Sequence, residues 1–186
     1  MIGHLQDGPV IYNPVDVETF IPDGARLSYG SSPRVAIVSW SENPTKGLGM
    51  YRDIIQAQED VSFVNCGRLL IGHAPNLHSL GEVPHTQMPM ILRGCDALLT
   101  MSQHEACPNH VLEAMACGLP VLYLDSGATG EVVGNGGMPV TEESFIRKLD
   151  IVRIEGGSMA RRRAITRFAP DVIFPLYIDA IRRAMR

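Results

Sequence analysis

The pattern of hydrophobic and polar positions predicts strands and helices in alternation. An apolar run at residues 34–40 is typical of a strand, and residues 46–58 follow it with apolar side chains at helical spacing. Further apolar runs predict strands at 61–65, 77–83, 96–101 and 120–124. Helices are predicted at 86–94 and 108–117, before three helical stretches that reach the end of the chain. Because strands that alternate with helices form a parallel sheet covered on both faces, the pattern predicts a doubly wound, Rossmann-like α/β fold with carboxy-terminal helices.

The same pattern predicts one domain with two flanking parts. The 186 residues are enough for a single domain with a substantial core. Residues 33–140 hold the alternating strands and helices, and we expect them to form the ligand-binding domain. Residues 1–32 are rich in Pro, Asp, Gly and Ser from Val10 onward, which favours an irregular segment of the kind that joins domains. Residues 141–186 are expected to pack on the domain as helices.

Composition excludes several classes of protein. The chain is 45% hydrophobic and 19% charged, with a formal net charge of -4, which is typical of a soluble globular protein. Its acidity disfavours nucleic acid as a partner. No stretch approaches the ~20 apolar residues of a membrane span, and the first nine residues lack the basic and apolar regions of a secretory signal. We therefore expect a cytoplasmic protein.

The cysteines and histidines do not indicate a metal site. The four cysteines form no C-x-x-C pair, so reduced thiols are expected. The six histidines never fall into H-x-x-x-H or H-E-x-x-H spacing. No metal ligand is predicted from the sequence.

Candidate binding chemistry lies after the predicted strands. Ligands of doubly wound sheets bind at the carboxyl ends of the strands, which correspond here to loops 39–47, 65–76, 101–109 and 124–131. The most informative segment, 102–121, follows a strand and opens a helix. Pro108 suits the first helical position, since its missing N–H would be unpaired there anyway. The backbone amides of Asn109, His110 and Val111 would then be free to bind phosphate.

Two glutamates frame this helix start. Glu105 lies in the loop just before the helix and Glu113 lies inside it, with seven residues between them. Because carboxylates accept hydrogen bonds from hydroxyl groups, the pair suits a ligand with hydroxyls on both sides of a diphosphate. The alternative is that Glu113 is a surface helix residue and Glu105 a loop charge.

The glutamate pair is part of a longer motif that resembles a known family. Glu-x7-Glu running into Glu113-Ala-Met-Ala-Cys-Gly-Leu-Pro-Val121 is similar to the signature of family 4 glycosyltransferases, which have the two-domain GT-B fold. Other segments resemble landmarks of that family in the right order, across roughly residues 10–140. These segments are 10–16 with Phe20, 80–83, 94–97 and 127–132.

The resemblance implies the carboxy-terminal, nucleotide-sugar-binding half of a retaining glycosyltransferase. It implies that Glu105 approaches the donor sugar and that Glu113 holds the ribose hydroxyls. It also implies that Lys46, in the pair Lys46-Gly47, binds the diphosphate of the leaving group. A cation beside a helix start is unfavourable unless an anion joins it, which favours the same role. The alternative for Lys46 is a solvated surface side chain.

The resemblance also implies further donor-binding residues and the nature of the donor. These residues are Pro108, Asn109, His110, Gly127 and Glu131, of which Glu131 could instead be only the acidic residue of a helix start. The donor is expected to be a nucleotide-diphosphate sugar, bound without a cofactor and without a metal. The residues do not indicate which base or sugar is bound.

The sequence departs from the family at one position. The arginine that commonly precedes the lysine by a few residues is absent, because this region is Ser39-Trp40-Ser41 and Arg34 begins the strand. Lys46 alone would then stabilise the leaving group less completely. Trp40 either stacks near the donor or anchors the junction of strand and loop.

Arginines alternate with apolar residues over the last two predicted helices. The pattern is typical of a solvated basic face over a core stripe. Docking to a partner, or a peripheral contact with anionic lipid at the inner membrane face, is the alternative. The arginines are Arg161, Arg162, Arg163, Arg167, Arg182, Arg183 and Arg186, and the apolar residues are Ile165, Phe168, Ile173, Leu176 and Ile178.

Almost nothing in the chain corresponds to the amino-terminal domain that holds the acceptor in the family. We expect a fragment, a degenerate product, or one subunit of a split enzyme whose acceptor domain lies on a partner chain, and a homo-oligomer is left open. An exposed apolar face is expected where the other domain would dock. Two further functions stay open, a non-catalytic nucleotide-sugar-binding module and a sugar-nucleotide epimerase. The Glu-x7-Glu motif favours the transferase over the epimerase.

Overall fold

Six strands and six α-helices make up the fold of the described residues. A computed structural model describes residues 9–185, so the amino-terminal residues 1–8 and Arg186 lie outside the described residues. In chain order the elements are β1 (Arg34–Ser39), α1 (Leu48–Ala57), β2 (Ser62–Gly67), β3 (Leu77–Gly81), α2 (Met88–Arg93), β4 (Ala97–Thr100), α3 (Asn109–Ala116), β5 (Val121–Tyr123), α4 (Thr129–Val133), β6 (Gly137–Pro139), α5 (Phe145–Phe168) and α6 (Pro170–Ala184). No helix among residues 9–185 is long and apolar enough to cross a membrane.

The strands form one parallel sheet in the order β3-β2-β1-β4-β5-β6. The order reverses between β1 and β4, and such switch points leave a crevice at the carboxyl ends of the strands. All elements predicted up to β5 are present, and their bounds lie within two residues of the prediction. The doubly wound α/β prediction is confirmed.

Alternate residues of β1 enter two different cores. Val35 and Ile37 pack with α1 and the first half of α5, whereas Ala36 and Val38 pack with α2, α3, α4 and the second half of α5. This is the period-two alternation of a strand with both faces covered. The long helix α5 therefore contributes to both cores, and the carboxy-terminal helices are part of the packing of the sheet.

Strand β6 was not predicted. Its sequence is Gly-Met-Pro, and both glycine and proline are depleted in strands. It forms because residues 137–139 pair in parallel with β5 at the edge of the sheet. Only the tertiary pairing distinguishes this segment from a turn.

Residues 9–33 contain no helix or strand. The segment is nevertheless fixed on the domain. The amide of Val15 donates to the carbonyl oxygen of Phe168 at 2.8 Å, and Phe20 is buried in the core beside α3.

Two of the carboxy-terminal arginines are structural, so the basic-face interpretation was wrong for them. The Arg161 guanidinium donates to the carbonyl oxygens of Phe20 and Ala116, both at 2.7 Å, and of Val17 at 3.0 Å. Arg163 donates to the carbonyl oxygens of Val132 and Glu131 at the end of α4. These bonds satisfy unpaired carbonyl groups, which a sequence pattern does not reveal.

The predicted core stripe was also only partly right. Phe168 and Ile173 are buried, but Ile165, Leu176 and Ile178 are exposed. On α6, four large apolar side chains at helical spacing face outward, and they are Phe174, Ile178, Ile181 and Met185. We call these four side chains the outer row of α6. An exposed apolar face of this kind was expected from the sequence.

Candidate functional site

Three of the four predicted loops meet at the carboxyl edge of the sheet. The amide of Gln103 donates to the carbonyl oxygen of Thr45 at 2.7 Å and so joins the β4–α3 loop to the β1–α1 loop. The amide of Ala128 donates to the carbonyl oxygen of Glu105 at 2.8 Å and so joins the β5–α4 loop to the same place. The fourth loop, 65–76, approaches through the bond from the Arg68 amide to the Ser39 carbonyl oxygen.

Lys46 and Glu105 form an ion pair between two of these loops. Lys46 ends a short 3-10 helix, Pro44–Lys46, whose start is capped by the side chain of Asn43. Gly47 then adopts a left-handed conformation with φ of +76°, and the loop packs directly against the backbone of Met101. The side chains of Lys46 and Glu105 are each 22% exposed, so both charges are partly shielded from water yet open to a ligand.

The backbone of Glu105 is held by Gly127. Gly127 has φ of +62°, and a Cβ atom at this position would lie 2.6 Å from the Glu105 carbonyl oxygen. The residue before Glu105, His104, is itself in the left-handed region at φ of 57°, and its amide donates to the Ser126 hydroxyl at 3.1 Å. Strained backbone of this kind persists only where its surroundings enforce it and often marks a functional site. Gly127 is thus placed to position Glu105.

The start of α3 differs from the prediction in two details. Pro108 precedes the helix as its N-cap, with ψ of 109°, and the helix begins at Asn109. The amide of Val111 donates to the Pro108 carbonyl oxygen at 3.0 Å, so the prediction that it is free was wrong. The backbone amides of Asn109 and His110 have no hydrogen-bond partner among residues 9–185 and remain available to an anion.

His110 lies in the electrostatic field of the ion pair. Its Nε2 atom is 3.2 Å from the Thr100 hydroxyl, which ends β4. Burial lowers the pKa of His110 to about 4, with Glu105 acting to raise it and Lys46 to lower it. The ring is therefore neutral at pH 7 and adds no positive charge beneath the helix start.

Glu113 lies one turn further along α3 and is largely buried. Its side chain is only 16% exposed, and burial raises the pKa of its carboxyl group. Its Oε1 atom is 2.9 Å from Nε2 of His85, a contact that lowers the pKa and so opposes the effect of burial. His85 was not predicted as a site residue, because its contact with Glu113 joins residues 28 positions apart on different elements.

The side chains of Glu131 and Trp40 form no hydrogen bond with Lys46, Glu105 or His110 in the described part of the chain. Glu131 is exposed in the first turn of α4, as expected for the acidic residue of a helix start. It also faces Tyr12 and raises the pKa of that phenol to about 12, although the Tyr12 hydroxyl is outside hydrogen-bond geometry. Trp40 is 43% exposed at the end of β1, so part of its indole is open to a ligand.

The structure therefore brings Lys46, Glu105, His110 and Gly127 together. Glu113 lies one turn beyond His110 on α3. No group of three or more His, Cys, Asp or Glu side chains within residues 9–185 is arranged to hold a metal ion. A separate groove of about 670 Å³ runs along α5 beside Pro22 and Gly118, and it shares no lining residue with this cluster.

A family of known proteins matches most of this region. The model of the family described as Glycosyl transferases group 1 matches residues 50–152, which is more than half of the chain. The chain therefore belongs to the group 1 glycosyltransferases. The matched residues include Glu105 and Glu113 and begin just after Lys46.

Individual relatives agree with this assignment. The 2-deoxystreptamine N-acetyl-D-glucosaminyltransferase of Streptomyces fradiae is 28% identical over 112 residues, which is 56% of this chain and 26% of that protein. HepE from Anabaena, in complex with UDP-glucose, is similar with a TM-score of 0.70 and 20% identity over 95% of this chain and 57% of HepE. The carboxy-terminal domain of LpcC, a group 1 family protein from Francisella tularensis, has a TM-score of 0.67 and 18% identity over 84% of this chain and 99% of that domain.

These similarities confirm the GT-B-type, Rossmann-like fold expected from the motif. The chain spans about a quarter of the length of the Streptomyces fradiae relative and a little over half of HepE.

Proposed function

We propose that this chain is the donor-binding part of a retaining glycosyltransferase and that it binds a nucleotide-diphosphate sugar without a metal. One observation carries the proposal. Lys46 and Glu105, from different loops, meet beside the start of α3, and Glu113 follows on that helix. The lysine, the free amides and the two carboxylates thus lie in the order that a nucleotide sugar would require. In such a ligand the diphosphate stands between the hydroxyls of the sugar and those of the ribose.

The diphosphate would bind at Lys46 and the amides of Asn109 and His110. A helix N-terminus attracts anions through its free amides and its dipole. In the unliganded chain Lys46 has Glu105 as its counter-ion, so a diphosphate would compete for the lysine. That exchange would leave the Glu105 carboxylate free to accept hydrogen bonds from the donor sugar. Lys46 and the helix start together would stabilise the charge that develops on the leaving diphosphate.

Glu113 would hold the ribose hydroxyls. It lies one turn beyond Asn109 on α3, the helix whose first amides would bind the diphosphate, which supports this role. Related structures support a nucleotide sugar as ligand, because HepE was crystallised with UDP-glucose and the structurally similar TarM from S. aureus with UDP. Retention of configuration is part of the proposal because the Glu-x7-Glu motif resembles that of the retaining family 4.

Transfer also needs an acceptor site, and we place it outside these 186 residues. The relatives are longer than this chain, which leaves room in them for a second domain. The acceptor domain would lie either in a longer form of this protein or on a partner chain. The outer row of α6 supports a docked partner, since exposed apolar rows of this kind commonly mark association surfaces. A chain without that partner would bind the donor and transfer nothing.

A thermal-shift titration tests the proposal. The folded chain is titrated with UDP, GDP, ADP and their common sugar conjugates, beside Lys46→Ala, Glu113→Ala and the control Lys148→Ala. Lys148 is a half-buried lysine on α5 that donates to the carbonyl oxygen of Pro139 and has no contact with Lys46, Glu105 or Glu113. A ligand at ~100 times its dissociation constant should stabilise the chain by about 2.7 kcal/mol. The proposal predicts this shift for one nucleotide, lost in the two site variants and kept in the control. No shift with any nucleotide, or equal shifts in all variants, would contradict it.

A further inference from the structure

Glu113 has one side-chain partner among residues 9–185, and that partner is His85. The bond from Nε2 to Oε1 is 2.9 Å long, and it engages only one of the two carboxylate oxygens. Glu113 is largely buried, whereas the His85 side chain is 65% exposed. The contact therefore lies at the rim of the site, where a ligand can approach it.

His85 is fixed in place although it is exposed. It follows Pro84 and begins a short 3-10 helix, His85–Gln87, that leads into α2. Its ring packs on Phe20 with 5.3 Å between the ring centroids and 59° between the planes. Phe20 is buried, and its carbonyl oxygen accepts a hydrogen bond from Arg161 at 2.7 Å. One face of the imidazole thus rests on a rigid support while its edge holds Glu113.

We propose that His85 is a positioning residue for ribose recognition, because it holds one oxygen of Glu113 and turns the other toward the hydroxyls of the nucleoside. This inference rests on the proposed function, and it adds a residue from outside the Glu-x7-Glu motif. A carboxylate with free rotation would meet a diol in many orientations. One that is bonded at a single oxygen meets it in one orientation, which lowers the entropy lost on binding.

The chemistry of the pair suits a diol in particular. A ribose presents two neighbouring hydroxyl groups, and a carboxylate is an acceptor with two oxygens and several lone pairs. His85 also favours the ionised form of Glu113, which burial alone would disfavour. An ionised carboxylate makes stronger hydrogen bonds to hydroxyls than a neutral acid does.

The test compares two ligands across a set of variants. Titration calorimetry measures the affinity of two ligands, the nucleoside diphosphate selected by the thermal-shift titration and its 2′,3′-dideoxy analogue. Both are measured on the wild type, His85→Ala, His85→Gln and the control His73→Ala. His73 is an exposed histidine in loop 65–76, away from Glu113. Gln retains a donor that can reach the carboxylate, and Ala removes it.

We expect His85→Ala to weaken the ribonucleotide about tenfold and the dideoxy analogue less than about twofold, because only the former offers a diol. His85→Gln should restore most of the affinity, and His73→Ala should change neither ligand. Two results would overturn the role of His85 without contradicting the donor site. One is an equal loss of affinity for both ligands in His85→Ala, and the other is no loss of affinity while binding still depends on Glu113. A folded wild type that binds no nucleotide would overturn the proposed function and this inference with it.

Discussion

Lys46 and Glu105 are joined by a direct ion pair although 59 positions separate them in the sequence. The pair connects the loop after β1 to the loop after β4, at the place where the strand order of the sheet reverses. Both charges are satisfied in the chain without a ligand. A ligand that binds here therefore has to replace one of the partners, and the proposed diphosphate would do so by offering Lys46 a different anion.

The positioning of Glu105 depends on a glycine in a third loop. In Gly127→Ala the new Cβ would clash with the Glu105 backbone. Residue 127 would also have to keep its φ of +62°, which alanine rarely adopts. We expect a loss of about 1–3 kcal/mol of unfolding free energy and weakened binding of the nucleotide sugar. Urea denaturation and calorimetry measure the two effects.

The control is Gly49→Ala, in α1, where an added Cβ meets nothing within 4 Å. This substitution should stabilise the helix by about 0.5–1 kcal/mol. If both glycine variants kept full stability and affinity, Gly127 would have no positioning role.

The arginines of α5 should differ sharply in their contribution to stability. Arg161→Ala removes three hydrogen bonds to backbone carbonyl groups and should cost about 2–3 kcal/mol. Its neighbour Arg162 is exposed, and Arg162→Ala should change the stability by less than about 0.5 kcal/mol. Similar values for the two variants in urea denaturation would restore the basic-face interpretation.

The partly buried imidazole of His110 should make the free energy of unfolding fall in mild acid. Its pKa is about 4 in the folded chain and lies near 6.5 when unfolded, so between these values the unfolded chain binds the extra proton. The stability that the neutral ring contributes is present above pH 6.5 and is lost as the pH falls toward 4. Between pH 7 and pH 5, the wild type should lose up to about 2 kcal/mol more than His110→Gln. Parallel losses in the two proteins, measured by urea denaturation, would show that His110 is not responsible.

The carboxylate of Glu113 should lower the free energy of unfolding of the unliganded chain and strengthen the binding of the nucleotide. Burial raises its pKa, which means that the fold disfavours the ionised form. Glu113→Gln keeps an acceptor for His85 and removes the charge, so it should stabilise the unliganded chain by roughly 0.5–1 kcal/mol while weakening nucleotide binding. A destabilised variant with normal affinity would contradict both parts.

Local pattern was sufficient for most of the fold. The strands up to β5 are apolar runs bounded by turn residues, so period and composition indicate them. Strand β6 and the carbonyl bonds of Arg161 depend on what lies across the molecule, and no local pattern encodes them. Gly118, just past the carboxyl end of α3, has φ of +77°, the left-handed conformation that glycine readily adopts where a helix ends.

The candidate site was predictable to the extent that its motif is continuous. Glu105, Pro108 and Glu113 lie on one segment, and strand order brings Lys46 to it. Three contacts of the site join different elements and were not predictable. They are the ion pair of Lys46 with Glu105, the packing of Gly127 on the Glu105 backbone, and the contact of His85 with Glu113. A sequence records such contacts only through residues that vary together, and one sequence contains no such record.

The most direct test of the central claim asks whether Lys46 binds the second phosphate of a donor. Calorimetry compares the affinities of a nucleoside diphosphate and its monophosphate for two variants, Glu105→Gln and the double variant Glu105→Gln/Lys46→Met. Glu105 is replaced in both because, once Lys46 is removed, an unpaired glutamate would repel the phosphates. Removing Lys46 should weaken binding of the diphosphate about 10- to 30-fold and binding of the monophosphate less than about threefold. Equal weakening of both ligands, or none, would contradict a diphosphate site at Lys46.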